Sequence, residues 1–356
     1  MFSIFSGAVV SILWVFFMNL ADNLTTTERD LVRYRRVALV TLVAVYFLFL
    51  VGASVRASGA GMGCPDWPTC FGQWVPPMSE SELPANYQEI YAERGYAETR
   101  FNVVKTWTEY FNRLVGATIG LLIFATALVS WPLRKYDRSI VVSSVAAFFM
   151  VGFQGWLGAK VVSSNLQPGM ITIHMLMALA IVGVLIFAMA QARRGIMAAQ
   201  PITDIHPAFE KWLYAVLFFT ICQVAMGTQV REMTDFISKA QGEALRSDWI
   251  QAMPWFFYVH RSFSAIVLFS NLWLGWLLFR SLGIGHTLTR LTFSMIAVIA
   301  VSIVSGATLG HLGMPAFVQP THLLASALLF GLQFLIWMSY RHSRDAAARP
   351  VLAEPA

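Results

Sequence analysis

Three histidines, His174, His260 and His322, interrupt otherwise apolar stretches of this 356-residue chain. Imidazole ligates transition metals and haem iron, and an ionisable group inside a membrane-type segment is costly enough to point to function. The spacing of these residues carries a pattern. His174 and His322 lie 148 residues apart, as do Arg113 and Arg261, Gly158 and Gly306, and Ala159 and Ala307. Earlier in each half, Gly52-Ala53-Ser54-Val55-Arg56 matches Gly227-Thr228-Gln229-Val230-Arg231 at an offset of 175. Repeated landmarks of this kind mark an internal duplication. The change of offset assigns 27 extra residues to the first copy, in a loop that also holds Cys64 and Cys70.

In the second copy, His260 opens the sixth apolar run and His322 the eighth. At equal depth on neighbouring helices, they can face each other across a planar ligand, as side chains in four-helix bundles commonly do. A histidine on each face would give a six-coordinate haem with no open site for oxygen. Arg261 and Arg231 could pair with acid groups of such a ligand. The first copy differs: at the offset of 148, Glu109 replaces Phe257 and Asn112 replaces His260. Its pocket would combine one imidazole, His174, with an amide and with a carboxylate one helical turn away. That carboxylate could act as a base or stabilise a cationic intermediate; a helix-start carboxylate favoured by the dipole is the competing reading. The symmetric pocket suits a permanent cofactor and the asymmetric one suits what is transformed.

The elements that must carry these side chains follow from composition. With 57% hydrophobic and 12% charged residues, the chain lies far from the roughly 25% charged norm of soluble domains. Apolar runs near 38–56, 110–131, 140–160, 170–191, 210–230, 256–279, 291–310 and 321–340 each have the length of a span. The fold class expected is an all-α integral membrane protein whose eight transmembrane helices form two parallel, pseudo-repeated four-helix bundles. The net charge of +6 collects in alternate connections, at Arg33, Arg35 and Arg36, at Arg134, Lys135 and Arg138, at Arg193 and Arg194, at Arg280 and Arg290, and at Arg341 and Arg344. By the positive-inside rule these connections are cytoplasmic, so the basic balance needs no nucleic acid to explain it. The organisation expected is an N-terminal apolar segment and basic stretch (1–36), a first half (37–195) with its outer loop at 57–108, a second half (196–340) and a cytoplasmic tail (341–356).

Three readings of the apolar segment Phe2 to Leu20 stay open: an extra span, an interfacial helix, or sequence upstream of a start at Met18. It lacks the basic n-region and exit site of a cleavable signal. A disulfide between Cys64 and Cys70 is chemically permitted in an outward loop, whereas a zinc site would need more Cys or His ligands nearby. Cys222 reads as a small buried side chain. His206, His286 and His342 read as surface residues, and His311 as a spare ligand candidate beside His322.

Gly63-Cys64-Pro65-Asp66-Trp67-Pro68 with Cys70, Glu109-Tyr110-Phe111-Asn112-Arg113 and the histidines at 174, 260 and 322 resemble haem A synthase, over about residues 37–340. That family converts haem O into haem A for cytochrome oxidases, oxidising a porphyrin methyl group to a formyl group by successive hydroxylations. The resemblance implies haem b held by His260 and His322 with Arg261 nearby, and substrate haem O held near His174, Asn112 and Arg113. It further implies Glu109 as the catalytic carboxylate and a Cys64–Cys70 disulfide near the substrate pocket. The implied setting is the cell inner membrane, with the pockets towards the outer side. Implied partners are the farnesyltransferase that makes haem O, an unidentified electron-transfer partner, membrane lipid and, in a homo-oligomer, further copies of the chain. Asn112 departs from the family pattern, which often has histidine there. An amide is no strong haem ligand, although it can hydrogen-bond to water. Alternatives open at this point are a di-haem electron carrier or quinol-oxidising cytochrome, a non-catalytic haem-binding relative, and a haem-delivery or transport module.

Overall fold

The structure, a computed structural model, describes residues 25–348 except 98, 203, 243–245 and 247. The apolar segment Phe2 to Leu20 lies outside the described residues. Among the described residues, eight helices are long and apolar enough to cross a membrane: α1 (Thr26–Ala57), α2 (Val103–Ser130), α3 (Arg138–Ser163), α4 (Pro168–Gln191), α5 (Phe209–Gln241), α6 (Trp255–Leu282), α7 (Thr287–His311) and α8 (Gln319–Ala347). The chain is a multi-pass membrane protein built from helices, the solution that satisfies every backbone group without water.

Several helices run well past their apolar stretches, because local capping rather than hydropathy sets a helix end. A capping box between Thr25 and Glu28 starts α1 twelve residues before the apolar run at 38, so Arg33, Arg35 and Arg36 lie on a helix. The side chain of Asn102 accepts the N–H of Lys105 and starts α2. At the other end, α5 carries its charged turns to Gln241 and α8 continues to Ala347. The boundaries drawn at residues 36 and 340 therefore cut through α1 and α8.

The neighbour order is the same in both halves. The contacts α1–α2, α2–α3, α3–α4 and α4–α1 close one ring of four, and α5–α6, α6–α7, α7–α8 and α8–α5 close the other. The rings meet along α8–α1, α8–α4 and α4–α5, and α8 is the most enclosed span. A continuous apolar core runs through both rings, from Leu39 and Leu42 of α1 to Leu332 and Ile336 of α8. The basic connections tie one end of the molecule together: Arg35 donates to the Ala192 carbonyl at 2.8 Å, Arg194 pairs with Asp137 at 3.0 Å, and Arg344 pairs with Glu210 at 2.6 Å. At the opposite end, the cysteine loop meets the α3–α4 turn through Arg94 on the Ser163 carbonyl and Asn165 on the Glu93 carbonyl. The α5–α6 and α7–α8 connections join there through Arg246 on the Met314 carbonyl.

Candidate functional site

His260 is the sixth residue of α6 and His322 the fourth of α8, each just inside a helix whose first turn is set by proline, Pro254 at the cap of α6 and Pro320 in α8. Proline's fixed φ and missing donor suit it to a helix start. The two imidazole rings face each other with centroids 6.5 Å apart and planes at 77°. That separation suits one metal ion between two ring nitrogens at metal–nitrogen distances of roughly 2 Å. Nδ1 of His322 lies 2.9 Å from the Ser302 carbonyl and 3.0 Å from Ser305 Oγ. A carbonyl only accepts, so Nδ1 carries the proton and Nε2 keeps its lone pair for a metal. Nδ1 of His260 is buried without a partner, and the His260 backbone carbonyl accepts from Gln223 at 3.0 Å.

Glycine backs each ring. A Cβ on Gly306 would stand 3.0 Å from His322 Cε1, and one on Gly227 would stand 3.3 Å from His260 Cε1. In the first half, His174 of α4 lies against Gly158 at 3.5 Å by the same measure, and Asn112 of α2 against Gly52 with Oδ1 at 3.7 Å. Gln154 donates to the His174 carbonyl at 3.0 Å, as Gln223 does for His260. The Asn112 oxygen and His174 Nδ1 are both buried and unpartnered, and such groups are rare unless a ligand or water completes them. Four side chains on even-numbered helices are thus each seated on a glycine of an odd-numbered helix: three imidazoles and one amide. Imidazole is an established haem-iron ligand, so the donor set, the free buried nitrogens and the glycine seats fit haem.

The carboxylate stands one helical turn from Asn112. Glu109 is 3% exposed; its Oε1 accepts from Arg113 Nη2 at 2.6 Å and its Oε2 from the Cys64 N–H at 2.9 Å. Arg113 also donates through Nη1 to the carbonyls of Asp66 (2.6 Å) and Thr69 (2.9 Å), and through Nη2 to that of Cys64 (3.2 Å). Its planar fork thereby spans the whole turn closed by the Cys64–Cys70 disulfide, whose Cα atoms are 4.9 Å apart. Asp66 fixes the same turn from inside, accepting from the Thr69 hydroxyl and from the N–H groups of Phe71 (2.6 Å) and Gly72 (2.8 Å). Phe71 then anchors the loop among Tyr87, Tyr91, Tyr96 and Phe101, edge to face. The Tyr96 hydroxyl donates to the Met62 carbonyl at 2.8 Å, and burial pushes its pKa above the ordinary phenol range, so it stays a neutral donor.

The residues expected from sequence therefore fall into three groups. His260 with His322, and Glu109 with Arg113, Cys64 and Cys70, are brought together. His174 and Asn112 have matching glycine seats on neighbouring helices. Arg261 is exposed, and Arg231 binds Asp235 (2.8 Å) and the Arg56 carbonyl (3.1 Å). His311 is exposed at the end of α7, while Cys222 is a free, half-buried thiol. His206 and His286 have local work: each accepts the N–H two residues on, at 3.1 Å. Sequence reasoning missed Ser302, Ser305, Gln154 and Gln223, and quoted Asp66 in the cysteine motif without a role. Only the glutamines left a signal, each standing four residues before the glycine that seats a histidine.

Among the described residues, eight helices of membrane-crossing length with two opposed imidazoles at one end define a polytopic membrane protein. The chain belongs to the COX15-CtaA family, described as cytochrome oxidase assembly proteins, which matches residues 35–334. It is similar to Heme A synthase of Shewanella oneidensis, 26% identical over 190 residues covering 53% of this chain and 54% of that protein. Heme A synthase of Methylobacterium radiotolerans is 28% identical over 176 residues (46% and 47%), and that of Alkalihalophilus pseudofirmus 27% over 204 residues (56% and 60%). The matched stretch spans about half the length of these relatives.

Proposed function

We propose that this protein is a haem A synthase, oxidising a methyl substituent of haem O to a formyl group. The observation that carries the reading is the asymmetry of the two glycine-seated pockets: His260 and His322 in one, His174 and Asn112 with a buried Glu109 in the other. His260 and His322 would hold haem b, a six-coordinate electron-transfer group. His174 would hold the iron of haem O in the first half, with the Asn112 amide on the opposite side. Asn112 argues against two equivalent permanent bis-histidine haems, and electron transfer alone has no need of Glu109.

Haem b, when bound, would supply a one-electron redox centre; the oxidant comes from outside the chain, and the protein's own residues bind and orient the substrate and stabilise developing charge. One lone pair on each Glu109 oxygen stays available beyond its bonds to Arg113 and Cys64. The carboxylate can take a proton, or stabilise positive charge on the substrate edge, without leaving its position. The disulfide-closed turn caps this side of the bundle and holds Arg113 on Glu109. The charge asymmetry of its connections supports an orientation with this cap on the outer side; on the family reading the protein would sit in the cell inner membrane and the farnesyltransferase that makes haem O would be its supplier.

The experiment is to purify the protein from cells that make haem O and to identify the extracted haems by mass. The expected result is haem B together with haem A. With Glu109→Gln, haem B is retained and haem O or a hydroxylated intermediate accumulates. Haem B alone from the wild type, with ample oxygen, overturns the assignment.

A further inference from the structure

Arg56 and Arg231 occupy equivalent places in the two halves, 175 residues apart, and they meet on one carboxylate. Asp235 Oδ2 accepts from Nε (3.0 Å) and Nη2 of Arg56, while Oδ1 pairs with Arg231 Nη1 at 2.8 Å. Arg231 Nη2 also donates to the Arg56 carbonyl at 3.1 Å. These side chains are only 18–27% exposed, in the seam between the halves. At the offset of 175 the first half has Ala60 where the second has Asp235, so two guanidiniums share one carboxylate and the triad keeps a formal positive charge.

The arginines also stand in register with the pockets. Arg56 lies four residues beyond Gly52, the seat of Asn112, and Arg231 four beyond Gly227, the seat of His260. Four residues are about 6 Å of rise and just over one turn, so each arginine rims its pocket on the seat glycine's side of its helix. A porphyrin between axial ligands is apolar except for its acid edge, which must find polar partners or water. A partly buried guanidinium with surplus positive charge is such a partner, and its planar fork matches a carboxylate.

We propose that Arg231 and Arg56 clamp the acid edges of the tetrapyrroles in the second and first pockets, and that Asp235 is the shared counter-ion holding both guanidiniums at the seam. The ligand class is a tetrapyrrole dicarboxylate, and the proposal rests on the reading that both pockets take porphyrins. The test titrates full-length protein, prepared without bound haem in detergent, with iron protoporphyrin IX and with its dimethyl ester. The readout is the six-coordinate absorbance of the His260–His322 site. The wild type should prefer the diacid by roughly tenfold, the scale of one charge-assisted hydrogen bond. Arg231→Gln should erase that preference while leaving ester affinity unchanged, and Arg231→Lys should keep part of it. Asp235→Asn should lower the diacid preference severalfold, because the carboxylate that holds Arg231 in place is lost, while leaving ester affinity within a factor of two. Arg56→Gln should leave this site intact and weaken uptake of a second porphyrin. An undiminished diacid preference in Arg231→Gln overturns the clamp alone. Absence of any six-coordinate species in the wild type overturns the porphyrin reading and the clamp together.

Discussion

Arg113 reaches back one helical turn to Glu109 with Nη2 2.6 Å from Oε1, and the same guanidinium holds three carbonyls of the disulfide-closed turn. Arginine here is a bracket between the carboxylate and the loop above it, rather than a free cation awaiting an acid group. Because Glu109 is buried and Arg113 largely shielded, removing either leaves a poorly compensated charge.

Arg113→Gln should therefore destabilise the first half by about 3 kcal/mol, within the range for breaking one side of a buried pair. Arg113→Lys should fare little better, since one ammonium cannot reproduce a planar fork spread over four acceptors. Thermal unfolding in detergent measures the loss. Haem b absorbance from His260 and His322 should survive in protein kept below the transition, because none of Arg113's four partners lies in the second half.

Replacing both Cys64 and Cys70 by serine should uncouple chemistry from cofactor binding. Cys64 supplies the N–H on Glu109 and a carbonyl on Arg113, so loosening the turn releases both ends of the pair. Haem A yield should fall at least tenfold while haem b content stays within a factor of two. A parallel loss of haem b would mean that the loop supports the whole bundle.

Gly306→Ala places a Cβ 3.0 Å from His322 Cε1, tighter than ordinary van der Waals contact. The ring must shift by a few tenths of an ångström against its bond to the Ser302 carbonyl, so the six-coordinate spectrum should weaken or become five-coordinate. Gly116→Ala is the control: its Cβ would meet nothing within 4 Å, and stability should change by no more than about 1 kcal/mol. Equal behaviour of the two variants would refute the seat.

Asn112→His should convert the first pocket towards the second. Gly52 stands opposite Asn112 as Gly227 stands opposite His260, so a ring has a seat there. Reduced-minus-oxidised spectra of haem-loaded protein should show a second six-coordinate species, with slower turnover as the open side of the substrate iron is filled. A single six-coordinate site in this variant would mean that His174 and residue 112 do not share a ligand.

The sequence alone determined the span count and the histidine pattern. Apolar runs of about 20 residues can only cross a bilayer as helices, and the offsets of 148 and 175 link residues that the structure places on matched glycine seats. Only the tertiary structure decided what the polar residues hold. Arg113 and Arg231 looked alike as cations beside pockets. Arg113 proved to hold carbonyls of the Cys64–Cys70 turn 44 to 49 positions away, and Arg231 to share Asp235 of its own helix with Arg56, 175 positions away. The same is true of Ser302, whose carbonyl fixes the His322 tautomer across 20 residues. Backbone carbonyls leave no trace in residue identity, and a hydrogen bond between helices depends on rotation and depth that hydropathy does not encode. Helix ends escaped for a related reason: beyond the apolar core, capping by Thr25 and Asn102 governs where α1 and α2 begin, and the bilayer no longer does.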